Sequence, residues 1–261
     1  MKTQLNGESV CYGTGSGSAG KDAPTIVFVH GAGFDHSIWV MPARYFARHG
    51  YFVLAPDFPA HGRSTGQPLQ SIEAMADWLA DLIRQECQRP VTMVGHSMGS
   101  LVAMVFAQRH PKLIERVALL GAASPMPVGP PLLNAAADNH HAAIDMANIW
   151  SHSRTGRLGA SQVPGVSNLN SGERLLERMG AGVYHADLAA CNAFDGEVDL
   201  GRIPTLVIAG GADQMTPAKA GLKVAHGLDN AQTVVLSGCG HSMLSEQPNE
   251  VLDALAKFIL E

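Results

Sequence analysis

The chain of 261 residues is long enough to bury the core of one large domain. Hydrophobic residues make up 46% and charged residues 16%, which suits strands covered on both faces. The net charge of −5, with no lysine or arginine cluster, excludes the basic surfaces that nucleic acid and anionic membranes require. Met1 to Val10 is polar and no apolar run is long enough to cross a bilayer, so a cytoplasmic chain is expected. The 4 cysteines (Cys11, Cys87, Cys191 and Cys239) are scattered without metal-ligand spacing and read as free thiols.

In chain order, residues 3 to 12 alternate around the tight-turn dipeptide Asn6-Gly7 and predict two short edge strands. A glycine- and serine-rich connection, Gly13 to Gly20, follows. Thr25-Ile26-Val27-Phe28-Val29 is a continuous β-branched and aromatic run of the kind buried in a parallel sheet, and it exits into His30-Gly31-Ala32-Gly33. Asp35 is placed to cap a helix from His36 to His49, stopped by Gly50. Tyr51 to Ala55 is the next strand. Ser71 caps a helix whose apolar positions Ile72, Met75, Leu79, Leu82 and Ile83 recur at steps of three and four.

A strand from Val91 then runs into Gly95-His96-Ser97-Met98-Gly99, and a helical pattern continues to Arg109. After the strand Arg116 to Leu120 the texture changes. From Ala122 to Gly201 prolines 125, 127, 130 and 131 break the chain, and helical patches fall around 132 to 150, 172 to 182 and 183 to 193. Strand patterns resume at Pro204 to Ala209, which exits into Gly210-Gly211-Ala212-Asp213, and at Thr233 to Leu236, which exits into Gly238-Cys239-Gly240-His241. Between them Thr216-Pro217 reads as an N-cap and first-turn proline. A terminal helix covers Pro248 to Leu260.

A serine at the tip of a sharp strand-to-helix turn needs glycine two positions before and after it, so that strand and helix can close on each other. Gly95-x-Ser97-x-Gly99, with its flanking strand and helix, resembles the nucleophile elbow of the α/β-hydrolase superfamily. The resemblance implies an α/β fold: a mostly parallel twisted sheet flanked by helices. In this arrangement residues 1–121 and 202–261 form the core and 122–201 a helical cap. It implies an oxyanion hole made by the backbone N–H groups of Met98 and Ala32. His30 itself reads as a buried, hydrogen-bonded loop residue rather than a catalyst. Asp57-Phe58-Pro59-Ala60-His61-Gly62-Arg63-Ser64 is similar to the family's Asp-x-Pro-Gly-x-Gly-x-Ser loop, with Ala60 in place of a glycine. That loop is structural in the family, which removes Asp57 as a catalytic acid.

Ser97, Asp213 and His241 stand at strand exits in the order of the family triad, and the exit after Leu120, Gly121-Ala122-Ala123-Ser124, offers no carboxylate. A serine hydroxyl is a weak nucleophile, so His241 takes its proton and Asp213 fixes the imidazole tautomer. The reading is a carboxylesterase acting on a small ester or lactone through an acyl-enzyme, with no metal or organic cofactor required. A carbon–carbon bond hydrolase or thioesterase on the same triad stays open, although Ser242 follows the histidine where many carbon–carbon hydrolases carry tryptophan. So do a slow-turnover ligand receptor and a perhydrolase-like activity. Met126, Met146, Trp150 and His152 are candidates for lining the pocket, but the sequence does not assemble it, nor the oligomeric state.

Overall fold

The computed structural model describes residues 1–159, 162 and 167–261. Eight strands form one sheet: β1 (Lys2–Leu5), β2 (Glu8–Gly13), β3 (Thr25–Val29), β4 (Phe52–Pro56), β5 (Val91–His96), β6 (Ile114–Leu120), β7 (Thr205–Gly210) and β8 (Ala231–Leu236). Their spatial order is β1-β2-β4-β3-β5-β6-β7-β8. Only β2 runs antiparallel to its neighbours, β1 and β4; every other pairing is parallel. The parallel strands therefore end on one edge, and the loops leaving β3, β5, β7 and β8 converge there.

The two-residue period of the strands divides the core. Val27 and Val29 of β3 face the side covered by α2 (Ile72–Glu86), α3 (Met98–Arg109) and α9 (Ala218–His226). Ile26 and Phe28 face the opposite side, where α1 (Val40–Arg48) and α11 (Pro248–Leu260) supply Phe46, Leu255 and Phe258. Strands buried on both faces explain the uninterrupted apolar runs in the sequence.

Between β6 and β7 the described residues contribute α4 (Pro130–Ala137), α5 (Ala142–Ser151), α6 (Arg154–Arg157), α7 (Asn168–Glu177) and α8 (Val183–Ala193), with no strand. Leu132, Ala136, Ala143 and Leu188 of these helices make a small cluster of their own, packed against Ala32 and Met215 of the loops below. A further short helix, α10 (Met243–Glu246), follows β8. No described helix is long and apolar enough to cross a membrane, and all 4 cysteines are free thiols.

Three expectations need correction. The helix foreseen from His36 is a 3-10 turn over His36–Trp39 that hands over to α1. An α-helix begun at His36 would have needed an N–H at Pro42 for the carbonyl of Ile38, whereas a start at Val40 puts the proline in the first turn, where no N–H is needed. The 132 to 150 patch is two helices, because Asn139 adopts φ +49 and ends the first. Thr216 is not a helix cap: α9 starts at Ala218 with Pro217 before it, and the threonine hydroxyl is drawn to other partners.

Candidate active site

Ser97 sits between β5 and α3 with φ +55 and ψ −121, a conformation that side chains rarely adopt. The turn closes because its neighbours have no side chain. A Cβ on Gly95 would strike the carbonyl oxygen of Gly99, and one on Gly99 would strike that of Val29. The Ser97 N–H is spent on Leu120 O at 2.9 Å. Its hydroxyl makes no hydrogen bond among the described residues, and Ser97 lines a cavity of about 50 Å³ together with His241 and Ala32.

Just after β7, Asp213 is buried with both carboxylate oxygens bonded. Oδ1 accepts from the backbone N–H groups of Met215 and Thr216, each at 2.8 Å, and Oδ2 accepts from His241 Nδ1 at 2.7 Å. Thr216 Oγ1 joins this pair, 2.9 Å from Asp213 Oδ2, 3.0 Å from His241 Nδ1 and 3.0 Å from Gly121 O. Burial opposes ionisation of the Asp213 carboxyl, but the His241 ring and the Thr216 bonds outweigh it and hold the group below the ordinary carboxylate range. Proline after Thr216 had suggested a cap; the hydroxyl instead braces the carboxylate and the imidazole. Gly121, with φ +58, leaves the ring its place: a Cβ there would stand 3.0 Å from His241 Cε1.

Two backbone N–H groups near Ser97 are unspent among the described residues. That of Met98 lies in the first turn of α3, where no intrahelical acceptor exists, and that of Ala32 lies in the turn closed by Phe34 N to Gly31 O at 3.2 Å. Gly33 N donates to Asp187 Oδ2 of α8 at 2.8 Å, and His61 Nε2 meets the same oxygen at 2.8 Å. His61 Nδ1 lies 3.0 Å from Pro59 O, so both ring nitrogens carry protons. Burial works against that charge, but Asp187 prevails and raises the His61 pKa. This buried pair ties the helices of 122–201 to the Ala32 turn. Sequence reading missed Asp187, since no motif marks it.

Asp57 spends its carboxylate on His36 Nδ1 at 2.7 Å, His36 N at 2.8 Å and Arg63 N at 3.1 Å, the structural part expected of it. His36 and Asp35 are its neighbours in one of two clusters among the described residues whose ligand atoms lie close enough to hold a metal; the other is His141, Glu173 and Glu177. In the first cluster the His36 bond already occupies Asp57. His30 lies buried, with Nδ1 2.9 Å from Gly31 O and Nε2 accepting from Phe58 N at 3.2 Å, as a loop histidine should.

His30 and His96 set a pH dependence of stability. Burial pushes their pKa values down to about 4 and about 3, so both rings stay neutral in the fold. In the unfolded chain each titrates near about 6.5. Below that pH the unfolded state binds more protons, and stability falls as pH drops toward 4, by up to about 1.4 kcal/mol per pH unit for each ring. His61 runs the other way, its contribution complete below about pH 6.5 and lost as pH rises through its raised folded value. The urea midpoint is expected to decline steadily from pH 6.5 to 4.5; a constant midpoint would contradict these neutral rings.

The 50 Å³ cavity adjoins two larger ones. One of about 370 Å³, which shares Ala32 and Ser97 with it, is walled by Met126, Val128, Leu132, Trp150 and Met215. The other, about 670 Å³, shares Phe34, His152 and Ser242 with it and opens outward beside Arg174 and Arg178. Ser97 thus stands at a neck between a smaller chamber with methionine and tryptophan walls and a wider one that opens beside the two arginines. Of the four pocket candidates, Met126 and Trp150 line the smaller chamber and His152 the neck, whereas Met146 packs among the helices above.

Comparison with known proteins matches the alpha/beta hydrolase fold over residues 24–248. The chain is 25% identical to RutD of Agrobacterium fabrum, a protein named as a carbamate hydrolase, over 94% of this chain and 96% of that one. It is 27% identical to the sn-1-specific diacylglycerol lipase ABHD11 of Mus musculus, over 90% of this chain and 81% of that one. Among solved structures, the enol-lactonase from Burkholderia xenovorans LB400 superposes with a TM-score of 0.83 at 23% identity, covering 100% of both chains.

Proposed function

Because the chain belongs to the alpha/beta hydrolase fold family, we propose that this hydrolase cleaves a carboxylic ester or lactone of a small molecule through Ser97, His241 and Asp213. The observation that carries the reading is the 2.7 Å contact of His241 Nδ1 with the buried Asp213 carboxylate, on a ring that shares its cavity with the Ser97 hydroxyl, which is unbonded among the described residues. Ser97 Oγ attacks the carbonyl carbon while His241 Nε2 takes the hydroxyl proton. The N–H groups of Met98 and Ala32 hold the oxyanion, and His241 returns the proton to the leaving alkoxide. Water, deprotonated by the same ring, then attacks the acyl-enzyme and frees the acid and Ser97.

In this reading residues 1–121 and 202–261 are the core and 122–201 the cap. The cap helices exclude water from the neck and shape the chambers that hold the acyl and alcohol parts. The ester bond is supported by the name of the ABHD11 relative and the apolar chamber by its methionine and tryptophan walls. The test is turnover of para-nitrophenyl esters of increasing chain length, set beside an aryl dienoate. Esters are expected to be cleaved, with a rate that falls once the acyl chain outgrows the 370 Å³ chamber. Faster cleavage of the dienoate would sink the ester assignment in favour of carbon–carbon hydrolysis.

A further inference from the structure

On the cap side of Ser97, two polar side chains are built into the cavity wall with half of their bonding capacity unspent. His152 follows α5 and is 1% exposed. Its Nδ1 lies 2.8 Å from the carbonyl oxygen of Asn148. A carbonyl only accepts, so Nδ1 is the nitrogen that donates and Nε2 is the one left to accept. Asn148 donates through Nδ2 to Leu169 O of α7 at 3.1 Å, which orients the amide and leaves Oδ1 as a second acceptor. Both His152 Nε2 and Asn148 Oδ1 are buried without a partner among the described residues. Both residues line the 50 Å³ neck with Ser97 and His241.

Gly172 of α7 keeps the space before them open. A Cβ on this residue would stand 3.2 Å from Asn148 Oδ1 and 3.9 Å from His152 Cε1. Glycine inside a helix is otherwise a poor choice, because alanine fixes the backbone at lower entropic cost.

We propose that Asn148 Oδ1 and His152 Nε2 form a subsite for a hydrogen-bond donor, an O–H or N–H that the substrate carries next to its scissile carbonyl. The inference rests on reading Ser97 as the nucleophile, since that places the carbonyl in the neck. Two acceptors and, among the described residues, no lysine or arginine line the neck, so a carboxylate or phosphate is disfavoured there. An alkyl group leaves both acceptors buried and unpaired, whereas a hydroxyl satisfies one of them and an amino group can satisfy both. A volume near 50 Å³ admits only a very small group, which puts the donor within one or two bonds of the carbonyl carbon.

The experiment compares kcat/KM for ethyl lactate and its isostere ethyl isobutyrate, with ethyl alaninate to tell O–H from N–H. The donor-bearing esters are expected to be preferred by about ten- to a hundredfold in the wild type. His152→Asn keeps a donor for Asn148 O but removes Nε2, and is expected to bring the ratio close to one. Gly172→Ala, which retains both acceptors, is expected to lower the ratio by occupying the space in front of Asn148 Oδ1. Equal rates for the isosteres in the wild type, or an unchanged ratio in folded His152→Asn, would overturn the subsite. Should no ester turn over, NMR titration with lactamide and isobutyramide reads the subsite without Ser97 chemistry. Tighter lactamide binding that is lost in His152→Asn upholds the subsite while the ester reading fails, and equal dissociation constants overturn it.

Discussion

Ser97→Ala is expected to lower ester kcat/KM by about 10⁴- to 10⁶-fold and to abolish labelling by a fluorophosphonate, while the fold is retained. The hydroxyl is unbonded among the described residues, so its removal leaves no buried partner orphaned, and alanine accepts the same φ of +55 at much the same strain. The urea midpoint is therefore expected to shift by less than about 0.5 kcal/mol. Ser97→Gly, which relieves that strain, is expected to be more stable than the wild type by about 1 kcal/mol and equally inactive. His241→Ala carries a similar kinetic penalty. The double variant loses little more, because the two groups act in one proton transfer and either loss disables it. Retention of more than about 1% of activity in Ser97→Ala, after contamination is excluded, would dismiss this serine as the nucleophile.

The parts of this architecture that were legible in the sequence are those whose cause is local. Thr25–Val29 and Pro248–Leu260 appear with the bounds expected of them, because continuous burial in one and amphipathic spacing after a proline in the other are written in adjacent residues. Ser71 accepts from Ala74 N, and Asp35 from Ser37 N, as caps do wherever the following chain is helical. The elbow is local through Gly95, whose Cβ would strike Gly99 within the same five residues; Gly99 answers a clash with Val29 on another strand and is legible only through the recurring motif.

The rest depends on partners far away in the chain. Thr216 carries a capping residue's signature and proline's endorsement, yet the carboxylate of Asp213 and the ring of His241 compete successfully for its hydroxyl. Asp187 and His61 are separated by 126 positions, and neither is distinctive until α8 is laid over the Ala32 turn. The donor subsite was out of reach for the same reason. His152 was only one of several candidate lining residues, and its meaning comes from Asn148 four residues before it and Gly172 on another helix.

Gly99→Ala is expected to cost at least about 3 kcal/mol of stability and to yield little soluble protein, although alanine is the better helix former. The intruding methyl would meet the carbonyl oxygens of Val29 and His30, the latter at 2.7 Å, and neither is the tip of a movable side chain. β3 is held in register by β4 on one side and β5 on the other, so its exit cannot retreat without breaking ladder bonds. Retreat would also drag the Ala32 turn, and any folded fraction should show a lowered kcat as the oxyanion donors part. Gly238→Ala is the matched control. Its φ of +69 imposes the backbone penalty, but nothing lies within 4 Å of the new Cβ, and only about 1–2 kcal/mol should be lost. If urea titrations give the two variants the same midpoint, close approach of strand and helix is not what demands glycine at position 99, since Gly99 itself lies in ordinary helical backbone.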